Sequence, residues 1–166
     1  MTPVEAAQAV AREQQLRAWR SYFEATAMLT AELDRLLRKD CGFGHAEFNI
    51  LLMLNEAPGG TLRMGDLARE IAFQPGRLTY QIGILEDRGW VRRERDADDG
   101  RVTNAFITDL GRSTLRKARP KHARHVDSLF LNFVDDANAA TLIDLFVPLR
   151  ERLLAERTCP KSKDEC

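Results

Sequence analysis

The segment that most restricts the possible folds is Asp99-Gly100-Arg101-Val102-Thr103-Asn104-Ala105-Phe106-Ile107-Thr108, just after Gly89-Trp90-Val91-Arg92-Arg93. It reads as two short strands, 90–95 and 102–107, joined by a charged, glycine-containing tip over 96–101. Thr108 is the expected cap of a helix that follows at once. Such a hairpin pushes an arginine outward on a stiff support. Directly upstream lie two helical patterns separated by a tight turn, so hairpin and helices are expected to form one unit.

The rest of the chain is helical in period. Over 4–39, Leu16, Trp19, Phe23, Thr26, Thr30, Leu33 and Leu37 step by three or four residues, the spacing of one helical face. The helix should stop near Asp40-Cys41-Gly42, with Gly42 as breaker. A second helix is expected at 45–56, carrying Phe48, Leu51, Leu52 and Leu54, and ended by Ala57-Pro58-Gly59-Gly60. Thr61-Leu62-Arg63 is a strand candidate. A short helix at 64–71 presents Leu67, Ala68 and Ile71. After the turn Ala72-Phe73-Gln74, a helix from Pro75 to about Arg88 turns Leu78, Ile82 and Leu85 inward, and Gly89 ends it. Behind the hairpin, a helix is expected to run to about Val134, with Pro120 bending or breaking it. Asp135 should cap a last helix over 137–156. The expected fold class is mainly α with a small β-hairpin (α+β). Its divisions are an N-terminal dimerisation helix at 4–40, a helix-turn-helix with a β wing at 45–108, C-terminal dimerisation helices at 109–156 and a flexible tail at 157–166.

At 166 residues, the chain can bury one core, or a small domain plus a dimerisation element. The long terminal helices exceed what the central unit needs, so their apolar faces are expected to pack on each other and on a second copy. Leu16, Val126, Leu129, Phe133, Phe146, Leu149 and Leu153 are the dimerisation candidates. Lys and Arg number 25, as do Asp and Glu, for a net charge of zero. Nucleic-acid binding must therefore depend on the arrangement of charge, not its sum. One basic run stands out: Arg112, Arg116, Lys117, Arg119, Lys121 and Arg124, with no acid between Asp109 and Asp127. Its bland reading is a solvated helix face. No apolar run approaches the roughly 20 residues of a membrane span. Met1-Thr2-Pro3-Val4-Glu5 lacks the blocks of a signal peptide, and a cytoplasmic location without membrane contact is expected.

The outer face of the second helix of the pair, with its N-terminal turn, carries Gln74, Gly76, Arg77, Thr79, Tyr80 and Gln81. Arginine and glutamine suit guanine and adenine edges in the major groove. Thr79 and Tyr80 suit phosphate or bases, and an exposed helix N-terminus favours phosphate. On the hairpin, Arg92, Arg93 and Arg95 point toward phosphate contact. Asp99, two residues before Arg101, is expected to brace its guanidinium for the minor groove, where the potential is most negative. The competing reading, a surface salt bridge, would contribute under about 1 kcal/mol.

These residues resemble the multiple antibiotic resistance regulator (MarR) family of bacterial transcription factors. The family's wing signature, an aspartate, any residue, an arginine, then a leucine-threonine pair after five residues, is met here by Asp99, Arg101 and Ile107-Thr108, with Gly111 following. Gly42-Phe43 through Phe48 and Leu51 resemble the start of its second helix. Leu67-Ala68, Leu78-Thr79, Leu85-Glu86 and Gly89-Trp90-Val91 follow its helix-turn-helix pattern. Trp19 with Tyr22, and His122 before Val126, also match many relatives, so the resemblance covers about residues 16–155. It implies a winged helix-turn-helix homodimer on a palindromic operator, usually as a repressor, and often released by a small ligand. The two recognition helices would enter major grooves about 34–36 Å apart. Departures are Gly100 beside Arg101 and Tyr80, both at positions where an arginine is common, and Gly44, Arg63 and Gln74 at helix starts that usually carry Ser or Thr.

Trp19, Tyr22 and Phe48 are the candidate lining of a pocket for an aromatic or lipophilic effector, where the first helix meets the central unit. The three cysteines, Cys41, Cys159 and Cys166, form no CxxC motif or disulfide framework, and reduced thiols are expected. An oxidant-responsive role for Cys41 is one alternative, and a protein-interaction module of winged-helix form is another. His45, His122 and His125 lack the partners of a recognisable metal site. No nucleophile–base set or phosphate loop points to catalysis, so no catalytic residue, metal or cofactor is expected. The expected partners are an operator in double-stranded DNA, a second copy and a small effector.

Overall fold

A computed structural model describes residues 2–158, and its elements run in the order the periodicity indicates. They are α1 (Pro3–Cys41), α2 (His45–Glu56), β1 (Thr61–Arg63), α3 (Met64–Glu70), α4 (Pro75–Asp87), β2 (Val91–Arg95), β3 (Thr103–Ile107), α5 (Asp109–Leu129) and α6 (Asp136–Thr158). Single 3-10 turns occupy Pro58–Gly60 and Leu131–Phe133. The three strands form one antiparallel sheet in the order β1-β3-β2, with Thr61 opposite Phe106 and Val91 opposite Ile107. The molecule is mainly helical with one small sheet, as expected. Cys159, Cys166 and the tail beyond Thr158 lie outside the described residues, while Arg157 and Thr158 continue α6.

Local chemistry sets most boundaries. Thr2 accepts from the Glu5 N–H at 3.3 Å while the Glu5 carboxylate accepts from the Thr2 N–H at 2.6 Å, a reciprocal cap for α1. Gly42, at φ 78°, closes α1 in the left-handed conformation. The ends of α3 and α4 share one device. Phe73 N–H donates to the Ala68 carbonyl and Ala72 N–H to that of Arg69; Trp90 N–H donates to Leu85 and Gly89 N–H to Glu86. Both are Schellman motifs, with Ala72 (φ 56°) and Gly89 (φ 69°) in the left-handed position. The Thr108 hydroxyl accepts from the Gly111 N–H at 3.0 Å and Asp135 accepts from the Asn138 N–H at 2.8 Å, so both expected caps are made. Gly44, Arg63 and Gln74 make no side-chain cap. At Gly44 the loss is offset from elsewhere: Asp34 accepts from the His45 N–H at 2.8 Å and buried Glu47 from the Gly44 N–H at 3.1 Å.

The core is built from the last third of α1, α2, α3, α4, the sheet and the first half of α5. Leu37, Phe48, Leu51, Leu67, Leu78, Ile82, Leu85 and Leu115 are fully or almost fully buried there. Ile50 joins them, although the α2 period assigned it no role. Higher up α1, the same apolar stripe is uncovered: Leu16, Trp19 and Phe23 are all more than half exposed in the single chain. The apolar side chains of α6 are largely exposed too, with Leu142 and Phe146 only half-buried.

Two expectations for the C-terminal half need correcting. Residues 109–129 stay helical through Pro120, which neither breaks the helix nor ends it. Arg116 and Pro120 both lie on the exposed side, where water can satisfy the carbonyl that loses its N–H partner. The helix then stops at Leu129 instead of Val134, and Leu131–Phe133 form a separate 3-10 turn. Similarly, α6 carries Pro148 in its interior on an exposed face.

At the junction of α1, α2 and α5 lies a cluster of titratable groups. The His122 ring stacks on Phe48 at 4.2 Å and faces His45 at 5.9 Å. His125 Nε2 is 3.0 Å from Asp40, and Lys121 donates to the Asp40 carbonyl at 2.5 Å. Burial holds His45 below the ordinary imidazole range, against the pull of Asp34. His122 is lowered by burial first, then by His45 and His125. Burial also pushes the Cys41 thiol up, against the pull of Lys121, the reverse of what a reactive thiolate needs.

Candidate nucleic-acid interface

The exposed surface of α4 begins at its N-terminus. Gln74, Gly76, Arg77, Thr79 and Tyr80 are all exposed, with Tyr80 at 68%. Pro75 starts the helix at a position where its missing N–H costs no bond. The Thr79 hydroxyl donates back to the Pro75 carbonyl at 3.0 Å. Gln81 departs from expectation. It is half-buried, with its Oε1 enclosed and unpaired, because it follows Leu78 by three residues and borders the buried stripe through Ile82 and Leu85. It does not belong to the outer face.

The hairpin is tied to α4 by one residue. Arg93 N–H and Nε donate to the two oxygens of Glu86, at 2.9 and 2.7 Å, so β2 and the C-terminal half of α4 are held together. Arg93 is thereby occupied, and Arg92 is occupied too. Arg92 pairs with Glu94 and lies over the Phe106 ring at 4.1 Å, because Phe106 is its cross-strand partner. Arg95 and Arg101 are exposed and, like Arg77, make no ion pair among the described residues.

Asp99 acts differently from the expected brace. Its carboxylate accepts from the backbone N–H of Arg101 at 3.0 Å and not from the guanidinium. A side chain two residues ahead of an N–H closes an Asx turn, a geometry shorter than any reach to its own guanidinium neighbour. The tip is organised chiefly by Asp96, which sequence reading passed over. It accepts from the N–H groups of Asp98 (3.1 Å) and Asp99 (3.2 Å) and from Asn104 Nδ2 (3.0 Å). The Asn104 bond, then the two backbone bonds, hold its carboxyl below the usual range, with a smaller pull from nearby Arg63. Exposed Arg63, at the start of α3, thus lies on the wing side of the molecule. Phe73 and Phe106, which support Arg77 and Arg92, were also missed. The only sequence signal for Phe106 is its register opposite Arg92.

The structure sets Phe48 apart from the other two expected effector-lining residues, Trp19 and Tyr22, whose ring centres lie 6.3 Å apart. Phe48 is 2% exposed and belongs to the core against His122. Trp19 packs on Phe23 at 5.6 Å and is largely exposed, while Tyr22 stacks on Phe146 of α6 at 4.7 Å. The reason is helix length: α2 is tied to α1 at Asp34, fifteen residues from Trp19, which is about 22 Å along the axis. Tyr22 lies instead on the wall of a mostly apolar cleft of about 750 Å³. The cleft runs between α1, the end of α5 and α6, and reaches Glu70 and Ala72 at the end of α3. Leu129, Phe133, Phe146, Leu149 and Leu153, all expected at a subunit interface, line it as well. Val126 is half-buried, and Leu16 is exposed. Among the described residues no group of His, Cys, Asp and Glu could hold a metal ion, and no helix is long and apolar enough to cross a membrane.

Residues 42–102, from the end of α1 to the wing tip, match the family model described as MarR family. Sco3205 from Streptomyces coelicolor, a MarR family transcriptional regulator solved in complex with DNA, is 35% identical, with a TM-score of 0.78 over 90% of this chain and 93% of that one. The chain belongs to the MarR family. AbsC, a second MarR family regulator from Streptomyces coelicolor, is 31% identical with a TM-score of 0.79, covering 86% of this chain and 95% of its own. The HTH-type transcriptional regulator YkoM of Bacillus subtilis is 32% identical over 98 residues, which is 59% of this chain and 62% of that protein. This chain thus spans less than two thirds of the curated relatives it matches. As a MarR family chain it has its helix-turn-helix in α3–α4 and its wing in β2–β3; the matched segment takes in α3, α4 and β2 and ends just before β3.

Proposed function

We propose that this protein is a homodimeric transcriptional regulator, acting as a repressor, that binds a palindromic operator through α4 and the wing. The observation that carries this reading is the state of three arginines. Arg77, Arg95 and Arg101 are exposed on α4 and the wing and neutralised by no carboxylate among the described residues. The Arg93–Glu86 link gives the two elements a fixed relation. Arg77 reads base edges in the major groove, with Gln74, Gly76, Thr79 and Tyr80 around it, and Arg101 and Arg95 meet the backbone or minor groove. Arg92 is available only at the cost of its pairing with Glu94, and Asp99 shapes the tip. That Sco3205 was solved with DNA supports the same reading.

Dimerisation is supported by the apolar surface left open in one chain. Leu16, Trp19, Phe23, Phe133, Ile143, Leu145, Leu149 and Leu153 are all exposed, and large apolar side chains left in water along paired helices mark an interaction surface. Release by an aromatic or lipophilic effector is carried over from the family. Of the expected lining residues, Tyr22 on the cleft wall is the one positioned to meet such a ligand. Any such ligand must bind the geometry incompatible with the operator more tightly than the competent one.

Selection from random duplexes with purified protein supplies the operator, and mobility-shift titrations at two salt concentrations test the residues. Arg101→Ala should weaken binding to operator and random DNA alike and lower the salt slope by about one. Arg77→Ala should instead lose about 1–3 kcal/mol of discrimination. Unchanged affinities and slopes in both variants would remove the assignment.

A further inference from the structure

Two guanidinium groups at the interface lie on aromatic rings. Arg77 Cζ is 4.2 Å from the centre of the Phe73 ring, and Arg92 Cζ is 4.1 Å from that of Phe106. The two differ in what else holds them. Arg92 is shared with Glu94, whereas Arg77 has no ion pair among the described residues, so the ring is its support. The ring itself is anchored. Phe73 ends the α3 Schellman turn, its N–H donating to the Ala68 carbonyl at 2.9 Å, and it packs half-buried against the core. Arg77 is the third residue of α4, and helical side chains lean toward the N-terminus, which carries it back over Phe73.

A guanidinium resting on an aromatic face keeps all its N–H donors at its rim, in one plane, and loses the freedom to rotate out of that plane. Bidentate contact with guanine O6 and N7 requires that planar pair of donors; a phosphate accepts a cation from many directions. We propose that Phe73 is a positioning residue: it holds the Arg77 guanidinium edge-on for a guanine in each operator half-site. This rests on the function proposed above. It adds that specificity at one base pair is set by a residue outside the recognition helix, in the turn that precedes it.

Phe73→Leu keeps an apolar side chain against the core and removes the ring face; Phe73→Tyr keeps the face. Each is titrated against the selected operator, against operators with each half-site guanine changed to adenine in turn, and against a random duplex. An exposed cation–π contact corresponds to about a two- to fivefold change in affinity. Phe73→Leu is therefore expected to bind the operator about two- to fivefold more weakly and to prefer guanine less at a single position. Its affinity for random duplex should stay unchanged, and Phe73→Tyr should restore the wild-type preference. In an Arg77→Ala background, Phe73→Leu should have no further effect on operator binding, which separates positioning from any loss of fold. Equal losses on operator and random DNA, an effect that persists without Arg77, or wild-type behaviour of Phe73→Leu would each overturn the proposal. If Arg77→Ala itself keeps its discrimination, the role of Arg77 falls and the shelf falls with it. If Arg77→Ala loses discrimination while Phe73→Leu does not, only the shelf falls.

Discussion

Gly111 shows how one small residue joins the wing to the rest of the molecule. A Cβ there would overlap the Trp90 carbonyl oxygen and press on Ile107. The first turn of α5 therefore sits directly against the start of β2, where Thr108 also donates to the Gly89 carbonyl at 2.7 Å. Backbone cannot move aside as a flexible side chain can, so Gly111→Ala should destabilise the fold by about 1–3 kcal/mol, the usual cost of overpacking. Urea unfolding measures this, and a midpoint equal to wild type would show that α5 shifts freely against the sheet. The residue scale is also where sequence reading was least secure. The exposure of Arg77, Tyr80 and Arg101 on α4 and the wing is legible from residue type and position, yet the placing of Asp96, Phe73 and Phe106 is not. Their roles depend on what a turn or a neighbouring strand brings beside them. Asp99 was found for a reason the structure replaces, since it braces backbone and not a side chain.

At the scale of elements, helix and strand positions were legible because punctuation and period agree. Pro75, Gly42, Gly89, Thr108 and Asp135 all mark the boundaries they were expected to mark. The misjudged element is α5: exposed Pro120 does not interrupt it, and it ends at Leu129, ahead of the 3-10 turn Leu131–Phe133. The packing of α5 on α1 and α2 could not be read from the sequence, and it is there that His45 and His122 face one another. Asp34 and Arg38 of α1, Asp40 at its end, Glu47 of α2, and Lys121 and His125 of α5 surround the pair. Both histidines titrate below the 6.5 of a free imidazole when folded. The unfolded chain therefore binds protons first on acidification. The stability that the neutral pair contributes is present above pH 6.5 and is lost as pH falls below it. The urea midpoint should drop on going from about pH 7.5 to about pH 5.5, and His45→Gln with His122→Gln should reduce that drop. An identical pH dependence in the double variant would place the acid-labile group elsewhere.

The whole molecule divides into a part that satisfies itself and a part that does not. The core under the wing and α4 closes within one chain, whereas upper α1, the end of α5 and α6 leave apolar side chains in water. Sequence reading could list those side chains but could not tell intrachain from interchain burial, since both produce the same helical stripe. Phe133, 78% exposed, distinguishes them. In an isolated chain Phe133→Glu would change stability by no more than about 0.5 kcal/mol. Across a subunit interface it should shift the protein to monomer in sedimentation equilibrium and weaken operator binding in parallel. A dimer of unchanged strength would locate the interface away from this end of the molecule.

Two copies joined through these helices would hold their α4 helices at one fixed separation, matched to one turn of B-DNA, about 10–10.5 base pairs between half-site centres. The most direct test is a spacing series on the selected operator. Inserting five base pairs between the half-sites turns one of them to the opposite side of the duplex, and affinity should fall to that of a single half-site. Affinity that survives the insertion unchanged would contradict the account.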